Sequence, residues 1–408
     1  MQQALFACAC AALTVAGIAF AANHQPTSPV DPSPAVTTQA ATTRPRVDLA
    51  NARPRVDLVF VLDTTGSMDG LIQAAKEKIW SIATTMAQAQ PVPEIRIGLV
   101  GFRDRGDEYV TRVFDLTSDL DSMYAHLMDF RAGGGGDGPE SVNAALADAV
   151  ERMGWSSAPG AYKAVFLVGD APPHMDYQDD TPYTVTLARA RERGIVVNAI
   201  RCGSDAAVLA PWQQIASLGQ GKYLEVDTNG SAVAMATPYD RRLAELGAAL
   251  DDTRLYYGSA PVQAAKAAKQ DATRRLEREA SVEAKARRAT FNASAAGSAN
   301  ALGDQELVAD VASGKVALEA LAPAELPAAL AALPAPARAA ALRDKAAKRE
   351  RITRDLRTLA AERADYLARE VRKAGGATDS LDAQLFGTLR EQAAREGGMK
   401  LDAKGPAY

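Results

Sequence analysis

The chain contains little cysteine and little histidine, with three of each among its 408 residues. Cys8 and Cys10 fall in an apolar N-terminal segment, so Cys202 is the one thiol in the rest of the sequence. An intramolecular disulfide and a cysteine zinc site are therefore excluded beyond that segment. Cys202 ends an apolar strand pattern and is expected to be buried.

Several catalytic motifs are also missing. The sequence has no H-E-x-x-H helix, no G-x-S-x-G elbow and no G-x-G-x-x-G directly after its first apolar strand. Phosphatases of the haloacid dehalogenase type need a second aspartate two residues after the first. Here Thr65 stands at that distance from Asp63. No catalytic residue is predicted, and a metal-dependent hydrolase or phosphatase is the alternative reading.

The charge is unevenly distributed along the chain. The formal net charge is −4, but residues 57–258 carry 28 Asp/Glu against 17 Lys/Arg, whereas residues 259–408 carry 20 against 25. An acidic globular half argues against a nucleic-acid partner and is compatible with binding of a cation.

The N-terminal segment resembles a targeting signal. Residues 5–22 are apolar and end in the A-x-A sequence Ala19-Phe20-Ala21, which predicts a signal peptide over residues 1–21 and export to a periplasmic or secreted location. This segment also just reaches the length of a spanning helix, so an uncleaved membrane anchor at residues 5–22 is the alternative. Residues 22–54 are rich in Pro, Thr and Ala and predict a disordered linker.

From residue 55 to 258, short apolar runs alternate with amphipathic stretches. This pattern predicts an α/β fold with a doubly wound, mostly parallel six-stranded sheet covered by helices on both faces. The predicted strands are Leu58–Leu62, Ile95–Phe102, Thr111–Leu116, Ala164–Val168, Ile195–Ile200 and Tyr223–Val226. A charged turn at residues 103–109 makes the third an antiparallel edge strand.

Residues 259–408 are rich in Ala, Arg and Glu, which are strong helix formers. Long helices are predicted at Val262–Thr290 and Ala337–Lys373, with shorter ones near Gln305–Leu321 and Ser380–Arg395. A narrow apolar stripe in the second long helix suits a bundle or a weak coiled coil. We expect this region to be dispensable for folding of the preceding domain and to serve in assembly or positioning.

The most informative motif follows the first predicted strand. Asp63, Thr65 and Ser67 place one carboxylate and two hydroxyls at i, i+2 and i+4 on the loop at the carboxyl end of that strand. Taken alone, such a cluster is more often a helix N-cap. Its oxygen-only chemistry nevertheless suits a hard divalent cation, and open α/β sheets bind their ligands at this edge.

Two further segments supply acidic residues in a comparable position. A glycine run at 133–136 leads to Asp137 and Glu140 before a helical pattern, and another buried strand ends at Asp170. His174 lies four residues further on, and a solvated loop position is expected for it. Asp137 and Glu140 both remain candidates for the ligand of the second loop.

Together these three loops resemble the metal-ion-dependent adhesion site (MIDAS) of von Willebrand factor type A (VWA) domains. The resemblance covers about half of the chain. It implies that Asp63, Thr65, Ser67, Asp170 and either Glu140 or Asp137 hold Mg²⁺, with Mn²⁺ and Ca²⁺ as alternatives. It also implies a protein partner that presents an Asp or Glu to the cation, as in adhesion or assembly of an envelope complex. Some proteins of this family instead work with an AAA-type ATPase, which is a second alternative.

Overall fold

The computed structural model describes residues 53–136, 138–227, 235–373 and 381–401. The predicted signal segment, nearly all of the linker and Asp137 lie outside these residues. The described residues belong to one compact unit. Among them, no helix combines the length and the apolar character needed to cross a membrane.

A six-stranded sheet forms the centre of this unit and confirms the predicted fold class. Its strand order is β4-β3-β1-β5-β6-β7, and every neighbouring pair is parallel except β3 and β4. The strands are β1 (Arg55–Asp63), β3 (Glu94–Phe102), β4 (Thr111–Thr117), β5 (Tyr162–Gly169), β6 (Val196–Cys202) and β7 (Gln220–Val226), while β2 (Ala89–Gln90) lies outside the sheet.

The central strands are apolar because helices cover both of their faces. In β1, Val61 pairs with Val100 on one side and Leu167 on the other, and all three are fully buried. The parallel register brings the carboxyl ends of β1 and β5 to the same edge, where Asp63 and Gly169 end their strands. This edge carries the loops that the sequence singled out.

Six helices follow the strands of the first half of the chain, as predicted. They are α1 (Asp69–Ala87), α2 (Leu120–Asp129), α3 (Val142–Glu151), α4 (Tyr183–Glu192), α5 (Ala206–Leu218) and α6 (Asp240–Asp251). Helices α3, α4 and α5 cover one face of the sheet. Helices α1 and α2 cover part of the other face.

The second half of the chain is helical, also as predicted. Its helices are α7 (Ala260–Glu279), α8 (Val282–Asn292), α9 (Ala295–Leu302), α10 (Leu307–Ala312), α11 (Ala328–Ala331), α12 (Ala335–Lys373) and α13 (Leu381–Gly397), followed by the short strand β8 (Lys400–Leu401). The single helix predicted at Val262–Thr290 is wrong. It is interrupted at Ser281, whose backbone is extended and whose side chain accepts a hydrogen bond from the amide of Ala284, which is the geometry of an N-cap.

The helical region shares its core with the sheet. Leu385 and Leu389 of α13 belong to the same buried cluster as Phe60 and Phe166 of the sheet. Strand β8 pairs with β2, which directly follows α1. The composition break near Gly258 therefore does not separate two cores, and these contacts argue against the expectation that the tail is dispensable for folding.

A buried ionic network reinforces this junction. Asp121 of α2 accepts hydrogen bonds from Nε and a terminal nitrogen of Arg288 in α8, both at 2.6 Å. Burial raises the pKa of Asp121, but the charge and hydrogen bonds of Arg288 outweigh it and hold the pKa well below its usual range. Thr273 of α7 donates a further hydrogen bond to Asp121 at 2.7 Å.

Candidate metal centre

Asp63 ends β1 beneath the candidate site and is 1% exposed. Its Oδ1 accepts hydrogen bonds from the amide and the hydroxyl of Thr65, at 2.9 and 2.6 Å. Its Oδ2 is buried and has no hydrogen-bond partner among the described residues. Burial, reinforced by the charge of Asp170, raises the pKa of Asp63 to about 7.

The two hydroxyls of the first loop lie side by side. The Oγ1 of Thr65 is 3.5 Å from the Oγ of Ser67. Thr65 is buried, whereas Ser67 is exposed at the start of a short turn that leads into α1. The oxygen atoms of the first loop therefore form a row that runs from the buried carboxylate of Asp63, past the hydroxyl of Thr65, to the exposed hydroxyl of Ser67.

The glycine loop is hydrogen-bonded to the first loop. The amide of Gly66 donates to the carbonyl of Gly134 at 3.2 Å, and the amide of Gly133 donates to the carbonyl of Thr64 at 3.1 Å. Gly135 has a φ of +81°, and a Cβ built there would lie 3.3 Å from Oε1 of Glu140. Glycine is thus required for the loop to pass close to that carboxyl group.

Glu140 joins the second loop to the third. Its side chain is buried, its amide donates to the carbonyl of Pro172 at 2.9 Å, and it forms an isolated parallel bridge with Pro173. The carboxylate therefore lies between the glycine loop and the segment that follows Asp170. The competing candidate, Asp137, is outside the described residues.

Asp170 follows β5 and faces the same cleft. The cleft has a volume of about 320 Å³ and is lined by Thr65, Gly66, Ser67, Gly134, Gly135, Gly138, Glu140, Asp170 and Ala171. The structure therefore brings together four of the six site residues that the sequence proposed and places Asp63 beneath them.

The donor chemistry of this cleft fits a hard cation. Its lining combines the carboxylates of Glu140 and Asp170 with the hydroxyls of Thr65 and Ser67, and the adjoining Asp63 has a buried Oδ2 without a hydrogen-bond partner among the described residues. No trio of His, Cys, Asp or Glu side chains in the described part of the chain is arranged closely enough to define a metal cluster by itself. Any cation here would accordingly depend on the hydroxyls of Thr65 and Ser67 as well as on the carboxylates.

The turn between β3 and β4 supports the site, a role beyond the strand reversal that was predicted for it. Arg103 donates to the carbonyls of Thr64 and Arg131, at 3.2 and 2.8 Å. Asp107 accepts a hydrogen bond from the amide of Gly135 at 3.0 Å. The dense charge of this turn was its only signal in the sequence, and such charge is usually solvated.

The solvated position expected for His174 is wrong. It is buried and not solvated, because its ring stacks on Tyr177 at 4.0 Å and contacts Asp104 and Asp176. Cys202, in contrast, is buried as expected, and burial raises the pKa of its thiol well above the ordinary value.

Part of the chain matches a known family model. Residues 57–214 match the family model of the von Willebrand factor A domain. The chain is 30% identical over 128 residues to the alpha-protein kinase vwkA of Dictyostelium discoideum. The aligned segment covers 29% of this chain and 19% of that protein. It is 44% identical over 89 residues to von Willebrand factor A domain-containing protein 7 of Rattus norvegicus, covering 22% of this chain and 9% of the relative. The chain thus spans less than a fifth of these curated relatives.

Two solved structures align with part of the chain. The VWA domain of SpRpn10 has a TM-score of 0.33 and 13% identity, over 43% of this chain and 89% of that one. Proximal thread matrix protein 1 from the mussel byssus, with a zinc-occupied MIDAS motif, has a TM-score of 0.34 and 17% identity, over 44% of this chain and 45% of that one.

Proposed function

We propose that this chain binds a divalent cation in the cleft described above, and the match of residues 57–214 to the family model of the VWA domain, a type of protein-interaction module, supports this. The proposed ligands are Asp63, Thr65, Ser67 and Asp170, with Glu140 preferred to Asp137 as the second-loop carboxylate. The observation that carries the proposal is the carboxylate of Asp63: its Oδ1 accepts a hydrogen bond from the hydroxyl of Thr65, while its Oδ2 is buried without a hydrogen-bond partner among the described residues.

A buried carboxylate oxygen without a partner costs free energy, which a coordinated cation would offset. Compact oxygen donors favour Mg²⁺, and Mn²⁺ and Ca²⁺ accept the same donor type. The transition metals that prefer nitrogen or sulfur find no His or Cys side chain lining this cleft among the described residues. Mg²⁺ is accordingly the first cation to test.

The cation would give the domain a way to recognise an acidic partner. Ser67 is exposed at the rim of the cleft, whereas Thr65 and Glu140 are buried. A cation held by these residues would therefore remain accessible from solvent. A bound Mg²⁺ usually keeps several waters. A carboxylate from a partner protein can replace one of these waters, which makes an exposed Asp or Glu the recognition element.

We extend the proposal to location: the chain is exported, and the partner is a periplasmic or secreted protein. Support comes from the A-x-A sequence at Ala19-Phe20-Ala21. Cell fractionation of the full chain tests this point. Recovery in the cytosol with the N-terminal segment retained would contradict export and leave the cation proposal unaffected.

The cation proposal is tested by isothermal titration of the protein with Mg²⁺ and Mn²⁺. We expect one site in the wild type and a loss of affinity of at least about tenfold in Asp63→Asn, which removes a charged ligand but keeps its shape. The control is Glu245→Gln, because Glu245 lies on the exposed face of α6, away from the cleft, and its ion pair in the described part of the chain is with Arg242. Equal affinities in the two variants would contradict the assignment.

The acidic partner is tested with acetate as a probe for its carboxylate. With Mn²⁺ bound, acetate should displace a metal-bound water and lower the relaxation rate of water protons. Acetamide is the neutral control and should have no such effect. A response that is identical for acetate and acetamide would contradict carboxylate recognition even if the cation binds.

A further inference from the structure

The turn between β3 and β4 contributes a buried carboxylate that contacts two of the three loops of the candidate site. Asp104 is 5% exposed. Its Oδ1 accepts a hydrogen bond from the hydroxyl of Ser141 at 2.8 Å, and its Oδ2 accepts one from the hydroxyl of Tyr177, also at 2.8 Å. The Nε2 of His174 lies 3.3 Å from the same Oδ2.

These contacts join the segments that carry the proposed ligands. Ser141 directly follows Glu140 in the second loop, whereas His174 and Tyr177 belong to the segment that follows Asp170. Backbone hydrogen bonds reinforce the junction, because the amide of Ser141 donates to the carbonyl of Arg103 at 3.2 Å. One carboxylate therefore links the second loop to the third from a turn that provides no proposed ligand itself.

Burial of a carboxylate is costly unless its oxygens accept hydrogen bonds. At Asp104 two hydroxyls meet that requirement, one on each oxygen. An asparagine would keep the shape but turn an NH₂ group toward one of these donors. The arrangement therefore depends on both oxygens of Asp104 as acceptors, beyond simple filling of space.

We propose that Asp104 is a positioning residue that fixes the spacing between Glu140 and Asp170 for a cation. The inference rests on the proposed function, because it assumes that these two carboxylates act together on one ion. Mg²⁺ demands near-ideal octahedral geometry at about 2.0–2.1 Å, whereas Ca²⁺ accepts six to eight ligands at about 2.3–2.6 Å in flexible arrangements. If the spacing between Glu140 and Asp170 is lost, the affinity for Mg²⁺ must therefore fall more than the affinity for Ca²⁺.

The test is titration of the full chain with Mg²⁺ and with Ca²⁺, in the wild type and in Asp104→Asn. We expect Mg²⁺ affinity to fall by about 10- to 100-fold, as is typical when a group that orients a metal ligand is removed. Ca²⁺ affinity should fall by roughly threefold or less, since Ca²⁺ tolerates displaced ligands. The ratio of the two affinities is the decisive quantity, because a general loss of stability does not alter it.

Two further variants keep the test informative if Asp104→Asn folds poorly. Tyr177→Phe removes one donor to Asp104 and keeps the ring that stacks on His174, so it should shift the ratio in the same direction by a smaller factor. Asp179→Asn is the matched control, because Asp179 lies on the same loop with its side chain 77% exposed. It should leave the ratio unchanged.

The outcomes separate the two hypotheses. A wild type that binds neither ion overturns the proposed function and this inference with it. A wild type that binds Mg²⁺, with the ratio unchanged in Asp104→Asn and Tyr177→Phe, overturns the positioning role alone. In that case thermal unfolding without metal would show whether Asp104 acts only on stability.

Discussion

The hydroxyl of Tyr162, the first residue of the central strand β5, donates a hydrogen bond of 2.8 Å to the side-chain oxygen of Gln392 in α13. The amide of Gln392 in turn donates to Asn198 of β6 at 2.7 Å, and all three residues are buried. A buried polar network of this kind is favourable only when every member has its partner. The last helix of the chain is therefore part of the sheet's own core.

The first prediction concerns the contribution of α13 to stability. Leu389→Ala should lower the free energy of unfolding by about 2–5 kcal/mol, since Leu389 is 1% exposed in the main core. Glu391→Gln, on the exposed face of the same helix, removes a surface ion pair with Lys222 and should cost less than about 1 kcal/mol. Urea unfolding measures both values.

Truncation at Gly258 extends this test. The shortened chain should fail to unfold cooperatively, because it lacks the residues that cover Phe60 and Phe166. A truncated chain with the melting temperature of the full protein would restore the original expectation that the tail is dispensable.

The second prediction concerns Gly169. A Cβ at this position would lie 3.0 Å from the Cβ of Asp63 and 3.1 Å from Trp212, so Gly169→Ala must displace one of them. We expect a stability loss of about 1–3 kcal/mol and weaker Mg²⁺ binding. Gly136→Ala is the control, because a Cβ there meets no atom within 4 Å. If both variants bind Mg²⁺ like the wild type, the position of Asp63 is not critical.

The third prediction concerns pH and the pair formed by Asp121 and Arg288. Asp121→Asn should cost about 1.5–3 kcal/mol at neutral pH, because it removes the charged hydrogen bonds of Asp121 to the buried guanidinium of Arg288, which retains Asp251 as its second counter-charge. The folded pKa of Asp121 is depressed, so the pair stabilises the fold above the unfolded value of about 3.9 and loses this effect as the pH falls through the folded pKa.

The stability difference between wild type and Asp121→Asn should accordingly be constant from neutral pH to about pH 5 and shrink below pH 4. Denaturant unfolding at a series of pH values measures it. A difference that grows toward acid pH would reverse the sign of the argument.

The fourth prediction concerns the second-loop ligand. Glu140→Gln should weaken Mg²⁺ binding by about tenfold or more, since Glu140 lines the cleft beside the glycine loop. Asp137→Asn, only three residues away, is the matched comparison and should have the smaller effect. The reverse order in isothermal titration would transfer the ligand role to Asp137.

The sequence allowed the sheet and its loops to be predicted because both depend on local patterns. Apolar runs such as Leu58–Leu62 indicate buried parallel strands, and parallel strands necessarily bring Asp63 and Asp170 to one edge. The helical pattern of the tail, in contrast, indicates that Leu389 is buried but not against which surface. The burial of α13 on the sheet therefore could not be predicted.

The role of Asp104 was also beyond the sequence. Asp104 lies among alternating charges at residues 103–108, and in a turn such residues are usually solvated. Its partners Ser141 and Tyr177 are 37 and 73 residues away in the chain, so no local spacing reports these contacts. The break in the predicted helix at Ser281 was missed because Ala, Arg and Glu favour helix on both sides of it.

The contact between Tyr162 and Gln392 has a consequence for the timing of biogenesis. These residues are 230 positions apart, so the core is complete only after almost the whole described chain has been synthesised. At about 5–20 residues per second, translation of that interval takes roughly 10–50 s, during which part of the sheet's apolar face is uncovered. The nascent chain is thus exposed to chaperones, proteases or a translocation apparatus for tens of seconds before it can close.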